Sequence, residues 1–221
     1  MSSISAIIVA AGSSSRMGGK VNKPYLTIKG KPALYYSLKI FSSIKEIREL
    51  VVVIRGKDEK IFRKLLNKYN FKNVRYTCGG PQRKDSVLNG FFSLERKEGL
   101  VLIHDAARPF VSAALIRRVI KAALKYKAAV PVVPVKETVK YSKKGKFVEK
   151  TLDRRELFLA QTPQALTCEL FLKANRIAEK KKRNITDDAM LAELLGVKAA
   201  LVPGDPKNIK LTVKEDLRKC L

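Results

Sequence analysis

The chain has 221 residues, 46% of them hydrophobic, enough for one sizeable core, so a single domain over residues 1–221 is expected. Its 46 Lys plus Arg against 20 Asp plus Glu leave a formal charge of +26, which attracts polyanions and equally suits a Lys-rich soluble surface or life at high temperature. No apolar run approaches the ~20 residues of a membrane span, and no basic segment precedes the first one, so neither a membrane anchor nor a signal peptide is expected.

In chain order, residues 5–10 (SAIIVA), 50–54 (LVVVI), 74–78 (VRYTC), 100–104 (LVLIH) and 128–133 (AAVPVV) read as strands. Helical spacing fills the gaps at 33–42, 58–69, 82–96 and 113–126; the last puts Leu115, Ile116, Val119, Ile120 and Ala123 on one face. Nearly continuous apolar strands are those of a parallel sheet covered by helices on both sides. The alternation predicts an α/β, doubly wound sandwich with ligands at the carboxyl ends of its strands. Residues 136–156 (KETVKYSKKGKFVEKTLDRRE) interrupt it with short alternating stretches at 138–141 and 146–151 about a central Lys-Gly. They read as a polar β-hairpin, either an arm reaching a partner subunit or a surface hairpin. The pattern resumes with a strand at 157–160, helices at 169–181 and 186–195, a strand at 198–202 and a helix at 213–219.

The first strand runs into AAGSSSRMGGKVNK. The spacing is neither G-x-x-x-x-G-K-[ST] nor G-x-G-x-x-G, which excludes a Walker loop and a dinucleotide fingerprint. Small residues at Ala10, Ala11 and Gly12 let backbone approach a base, ribose and phosphates, while Arg16 offers a planar fork and Lys23 a mobile charge. A second strand ends in HDAARPF, where Asp105 is a natural ligand for a magnesium ion on phosphates, Ala106 permits close approach and Arg108 can hold an anion. In GGPQRKDSV, Gly79 and Gly80 can face a planar ligand and Ser86 adds a hydroxyl. His104 is the sole histidine and is expected to pack or hydrogen-bond rather than catalyse. Cys78, Cys168 and Cys220 form no C-x-x-C pair; neither a disulfide frame nor a zinc site is expected, and reduced thiols in the cytoplasm are.

These motifs resemble the 2-C-methyl-D-erythritol 4-phosphate cytidylyltransferases of the non-mevalonate isoprenoid pathway, and ITDDA at 185–189 and NIKLT at 208–212 follow in the family's order. The resemblance implies a Rossmann-like nucleotidyltransferase sandwich, homodimeric through an arm matching 136–156, with CTP as co-substrate and Mg2+ as cofactor. It places CTP at Ala10, Ala11, Gly12, Gly80, Ser86, Asp105 and Ala106, with magnesium on Asp105. It gives Arg16, Lys23, Arg154 and Lys210 to catalysis, and Arg108, Thr138, Arg154, Thr162 and Lys210 to the methylerythritol phosphate, Thr138 and Arg154 coming from the partner's arm. The chain departs from the family in Ser14, often glycine, and in reading Asn22-Lys23-Pro24 where a proline often precedes the lysine. A ribitol 5-phosphate cytidylyltransferase would use the same loops. A nucleic-acid binder would need stacking aromatics or a basic recognition helix, and neither is visible, so no nucleic-acid partner is expected.

Overall fold

A computed structural model describes residues 3–12, 22–213 and 216. In chain order the elements are β1 (Ile4–Val9), β2 (Thr27–Ile28), β3 (Lys31–Pro32), α1 (Ala33–Ser42), β4 (Glu49–Ile54), α2 (Glu59–Lys68), β5 (Val74–Cys78), α3 (Arg83–Phe92) and β6 (Leu100–Asp105). They continue with α4 (Ala113–Tyr126), β7 (Ala128–Pro134), β8 (Val139–Tyr141), β9 (Lys150–Leu152), β10 (Phe158–Ala160), β11 (Gln164–Thr167), α5 (Cys168–Lys180), α6 (Met190–Leu194) and β12 (Ala200–Pro203). Most of the helix expected at 213–219, and Arg16, Ser14 and Cys220, lie outside the described residues.

β5, β4, β1 and β6 run parallel, and β12 runs parallel to β7. Between β6 and β7 lies β11, antiparallel to both. Ala129 and Val132 of β7 pair with β12 on one side, so β10 and β11 share the other and form one strand interrupted at 161–163. The expected mostly parallel sheet is therefore present, with one antiparallel strand inside it.

Alternation along the strands splits the core into two layers. Ala6 and Ile8 of β1 face α1, α2 and α4, where Leu34, Leu38, Phe41, Phe62 and Leu115 are buried. Ile7, Val51 and Val53 face the other way, onto Val87 and Phe91 of α3 and Phe171 of α5. Helix α3 approaches closely: a Cβ on Gly90 would stand 2.6 Å from Ile7 Cγ2 and 2.7 Å from Val53 Cγ2. Gly90→Ala should lower stability by about 1–3 kcal/mol through overpacking, although alanine is the better helix former by ~1 kcal/mol. A fall in the urea midpoint checks this, and a rise would contradict it.

The segment 136–156 does form a hairpin, β8 pairing antiparallel with β9 apart from the main sheet. Its Tyr141, Phe147 and Val148 are exposed, as are Phe158 and Leu159 where it returns. Among the described residues no helix is long and apolar enough to cross a membrane.

Candidate active site

Registry brings the motif-bearing strand ends level. Val9 pairs with Val53 on one side and Asp105 on the other, and Ile54 pairs with Cys78. The ladders extend one step through Ala10 N–H to Val53 O, Ala106 N–H to Val9 O and Gly79 N–H to Ile54 O. Ala11–Gly12, Gly79–Gly80 and Ala106–Ala107 consequently leave the sheet side by side. Ala11, Gly12, Gly80 and Ala107 border a cavity of about 370 Å³ lined also by Lys23, Arg83, Ser86, Asp105 and Lys210. A larger hollow of about 1100 Å³ lies at the amino ends of the strands. Within it Arg75 lies 2.6 Å from Glu49 and 3.1 Å from Glu95, and no glycine is among its lining residues.

The glycine loop is shaped by Ser86, whose hydroxyl accepts the Gly80 N–H (3.2 Å) and donates to Gln82 O (3.1 Å). A Cβ on Gly79 would collide with Ala11 Cβ and the Ser86 hydroxyl, so glycine is required for the two loops to meet. Just before Lys23, Asn22, buried, donates to Asp58 Oδ2 (2.9 Å), and Arg55 grips both oxygens of Asp58 (2.7 and 2.9 Å). This clamp sets the start of the 3-10 turn Lys23–Tyr25, and Lys23 Nζ donates to Thr212 O at 2.8 Å. Pro24 fits because a missing N–H costs nothing in the first turn of a helix. The shifted proline thus leaves the lysine at the pocket.

Asp105 sits at the centre of a charge chain. Lys210 Nζ lies 2.6 Å from its Oδ2 and Arg83 3.1 Å from its Oδ1, while Arg83 also holds the buried Asp188 through two bonds of 3.1 and 2.7 Å. Burial would raise the Asp105 carboxyl, but Arg83 and Lys210 outweigh it and keep the group well below the usual carboxylate range. Lys210 arrives because 208–212 folds back onto the HDAARP loop, Leu211 N–H donating to Ala107 O.

Behind Asp105 the polar groups satisfy one another. The Thr162 hydroxyl accepts Asp105 N–H (3.1 Å) and donates to His104 Nδ1 (2.9 Å), leaving Nε2–H to donate to Arg108 O (3.1 Å). His104 is fully buried and hydrogen-bonded through both ring nitrogens, and burial lowers its pKa from 6.5 to about 4. The unfolded chain therefore takes up this proton first as pH falls below 6.5, and stability is lost between 6.5 and about 4. The expected loss is about 2 kcal/mol by pH 5. Urea unfolding at pH 7 and pH 5 measures it, and His104→Asn should flatten the profile.

Of the residues expected at the site, Ala10, Ala11, Gly12, Lys23, Gly80, Ser86, Asp105 and Lys210 line this one cavity. Ala106 is fully buried beneath it. Thr162 is buried with its hydroxyl engaged, and Arg108 lies beside it, donating to Asn208 O (2.7 Å) and Ala160 O (3.1 Å). Thr138 and Arg154 are exposed in the 136–156 segment and are not among the pocket's lining residues, with Arg154 donating to Lys136 O at 2.6 Å.

Comparison with known proteins agrees with this geometry. The family model for 2-C-methyl-D-erythritol 4-phosphate cytidylyltransferase (IspD) matches residues 4–220. A protein of that name from Caldanaerobacter subterraneus subsp. tengcongensis is 45% identical, the alignment covering 97% of this chain and 95% of the relative. The chain belongs to this cytidylyltransferase family.

Another family member, from Clostridioides difficile, is 41% identical across 96% of this chain and 90% of its own. The crystal structure of the Anaerococcus prevotii 4-diphosphocytidyl-2C-methyl-D-erythritol synthase superposes with a TM-score of 0.89 at 35% identity, covering 99% of this chain and 94% of that one. The Thermus thermophilus cytidylyltransferase gives 0.81 at 31%, covering 99% and 97%. Within this cytidylyltransferase scaffold, sequence reasoning passed over Arg83 and Asp188. Arg83 did carry a signal: a cation in the first turn of a helix opposes the helix dipole and calls for a specific anion. Asp188 stood in ITDDA, but nothing in the spacing tied it to Arg83, 105 positions away.

Proposed function

We propose that the chain transfers the cytidylyl group of CTP to 2-C-methyl-D-erythritol 4-phosphate, releasing pyrophosphate and forming 4-diphosphocytidyl-2-C-methyl-D-erythritol for isoprenoid precursors in the cytoplasm. One observation carries the reading: small-residue loops, Lys23, Asp105 and Lys210 converge on one cavity at the carboxyl edge of the sheet. Backbone groups of Gly80 and the Ser86-braced loop take the cytosine; Ala10, Ala11 and Gly12 pass close to ribose and phosphates.

The attacking group is the substrate's phosphate monoester, already an anion near neutral pH, so no general base is needed. The task is to bring two anions together and stabilise charge in an in-line displacement. Lys23 and Arg16 do this at the triphosphate, and Lys210 and Arg108 hold the incoming phosphate. Asp105 fits a magnesium ion: it lines the cavity, it is held ionised, and one carboxylate with substrate phosphates is a usual magnesium set. Bound there, the ion would neutralise phosphate charge.

Thr138 and Arg154 serve the pocket of a second copy, reached by the arm. The exposed Tyr141, Phe147 and Val148 on that arm support burial against a partner. Mixing inactive Lys23→Ala protomers with inactive Arg154→Ala protomers should restore activity, because mixed dimers regain one intact pocket. No recovery, or a fully active dilute monomer in sedimentation, would remove the shared site. The cytidine reading is checked by thermal shift: CTP with magnesium should raise the melting temperature more than UTP, ATP or GTP at equal concentration. Equal shifts would contradict it.

A further inference from the structure

The Asp188 side chain is only 4% exposed, a costly place for a carboxylate unless it is paired. Its platform is tied down by hydrogen bonds. Buried Gln164, at the start of β11, accepts Ala189 N–H (2.7 Å) and donates to Asp187 Oδ2 (2.9 Å), and Asp187 Oδ1 accepts Met190 N–H (3.1 Å). From that platform Asp188 takes the Nη1 and Nη2 end of the Arg83 guanidinium in a bidentate pair.

The consequence lies on the other edge of the fork. Arg83 Nε and Nη2, a pair that commonly spans both oxygens of a carboxylate, both stand 3.1 Å from a single oxygen, Asp105 Oδ1. Oδ2 is left to Lys210 at 2.6 Å, and both residues line the cavity. A guanidinium released from Asp188 could slide to cover both Asp105 oxygens or turn toward a bound triphosphate. Arg83 also begins α3, directly after the loop that holds Gly80 and Gln82, so the anchor links the base-facing loop to the carboxylate.

We propose that Asp188 is a positioning residue for the reaction: acting through Arg83, it fixes the Asp105 carboxylate with Oδ2 turned into the pocket and keeps the guanidinium out of the triphosphate's path. This rests on the reading of Asp105 as the residue that serves the nucleotide and its metal. A purely structural ion pair would affect only stability; a positioning one affects turnover and metal affinity in protein that remains folded.

The test uses the full chain with Asp188→Asn, which keeps the shape of the side chain but cannot accept from both Arg83 nitrogens, and Arg83→Lys, which keeps the charge but loses the fork. Folding is checked by thermal melting. Steady-state kinetics then separate kcat from KM, and electron paramagnetic resonance of free Mn2+ reports metal binding to the protein–CTP mixture without turnover. Both variants should lose ~10–100-fold in kcat and weaken Mn2+ binding several-fold, with the KM for CTP within about threefold of the parent. Parental kcat and Mn2+ binding in both variants would overturn the proposal, even with a lowered melting temperature. Asp105→Asn, run alongside, separates the two ideas. If it leaves Mn2+ binding unchanged, the metal reading of Asp105 fails, and the kcat of the other two variants still decides the role of Asp188.

Discussion

Lys23→Ala should lower kcat by about 10²–10³ while changing the KM for CTP far less, the signature of a group whose interaction grows toward the transition state. The lysine is poised for this. Its Nζ rests on the carbonyl of Thr212, another residue of the cavity's lining, and Asn22, Asp58 and Arg55 hold the backbone that carries it. A hydrogen bond from a flexible side chain to a carbonyl costs little to exchange for a phosphate oxygen. Rapid-quench measurement of a single turnover separates chemistry from product release. An unchanged rate of cytidylyl transfer would remove Lys23 from the mechanism.

Asp105→Asn should reduce both activity and stability. An asparagine offers one acceptor oxygen and an NH2 that repels a cation, so Arg83 and Lys210 cannot both be satisfied. Breaking a fully buried pair costs about 3–5 kcal/mol. The Lys210 side chain is 45% exposed and water can replace its partner, so about 1–3 kcal/mol is expected here. Turnover should fall by ~10² or more, since losing one preorganised charge typically costs that much. Urea denaturation and kcat read the two effects separately. A variant as active as the parent would show that the charge of Asp105 does not serve the reaction.

Much of this architecture was legible because strand and helix periods differ and the glycine loops follow strands. The helices at 33–42 and 113–126 and the strand at 74–78 fall where spacing placed them. The antiparallel β11 was missed because QALT is four residues long and runs straight into α5, leaving too few positions to reveal a period. The helix expected from residue 186 begins at Met190, since Gln164 already engages Asp187 and Ala189. The one expected at 82–96 stops at Phe92, where Ser93 caps it and Leu94 turns into the core.

The cavity was legible for the same reason. Residues carried on strand ends are placed by registry, and Ala10, Gly12, Gly80 and Asp105 follow from which strands are neighbours. Lys210 was placed through the family resemblance. Arg83 and Asp188 needed the tertiary fold, because their pairing joins α3 to a loop before α6.

The most direct test of the whole account is pyrophosphate release from CTP, UTP, ATP and GTP with magnesium, offered 2-C-methyl-D-erythritol 4-phosphate and ribitol 5-phosphate separately. Release with CTP and the methylerythritol phosphate alone is the expected result. Release with ribitol 5-phosphate instead, or from no pair at all, would contradict it.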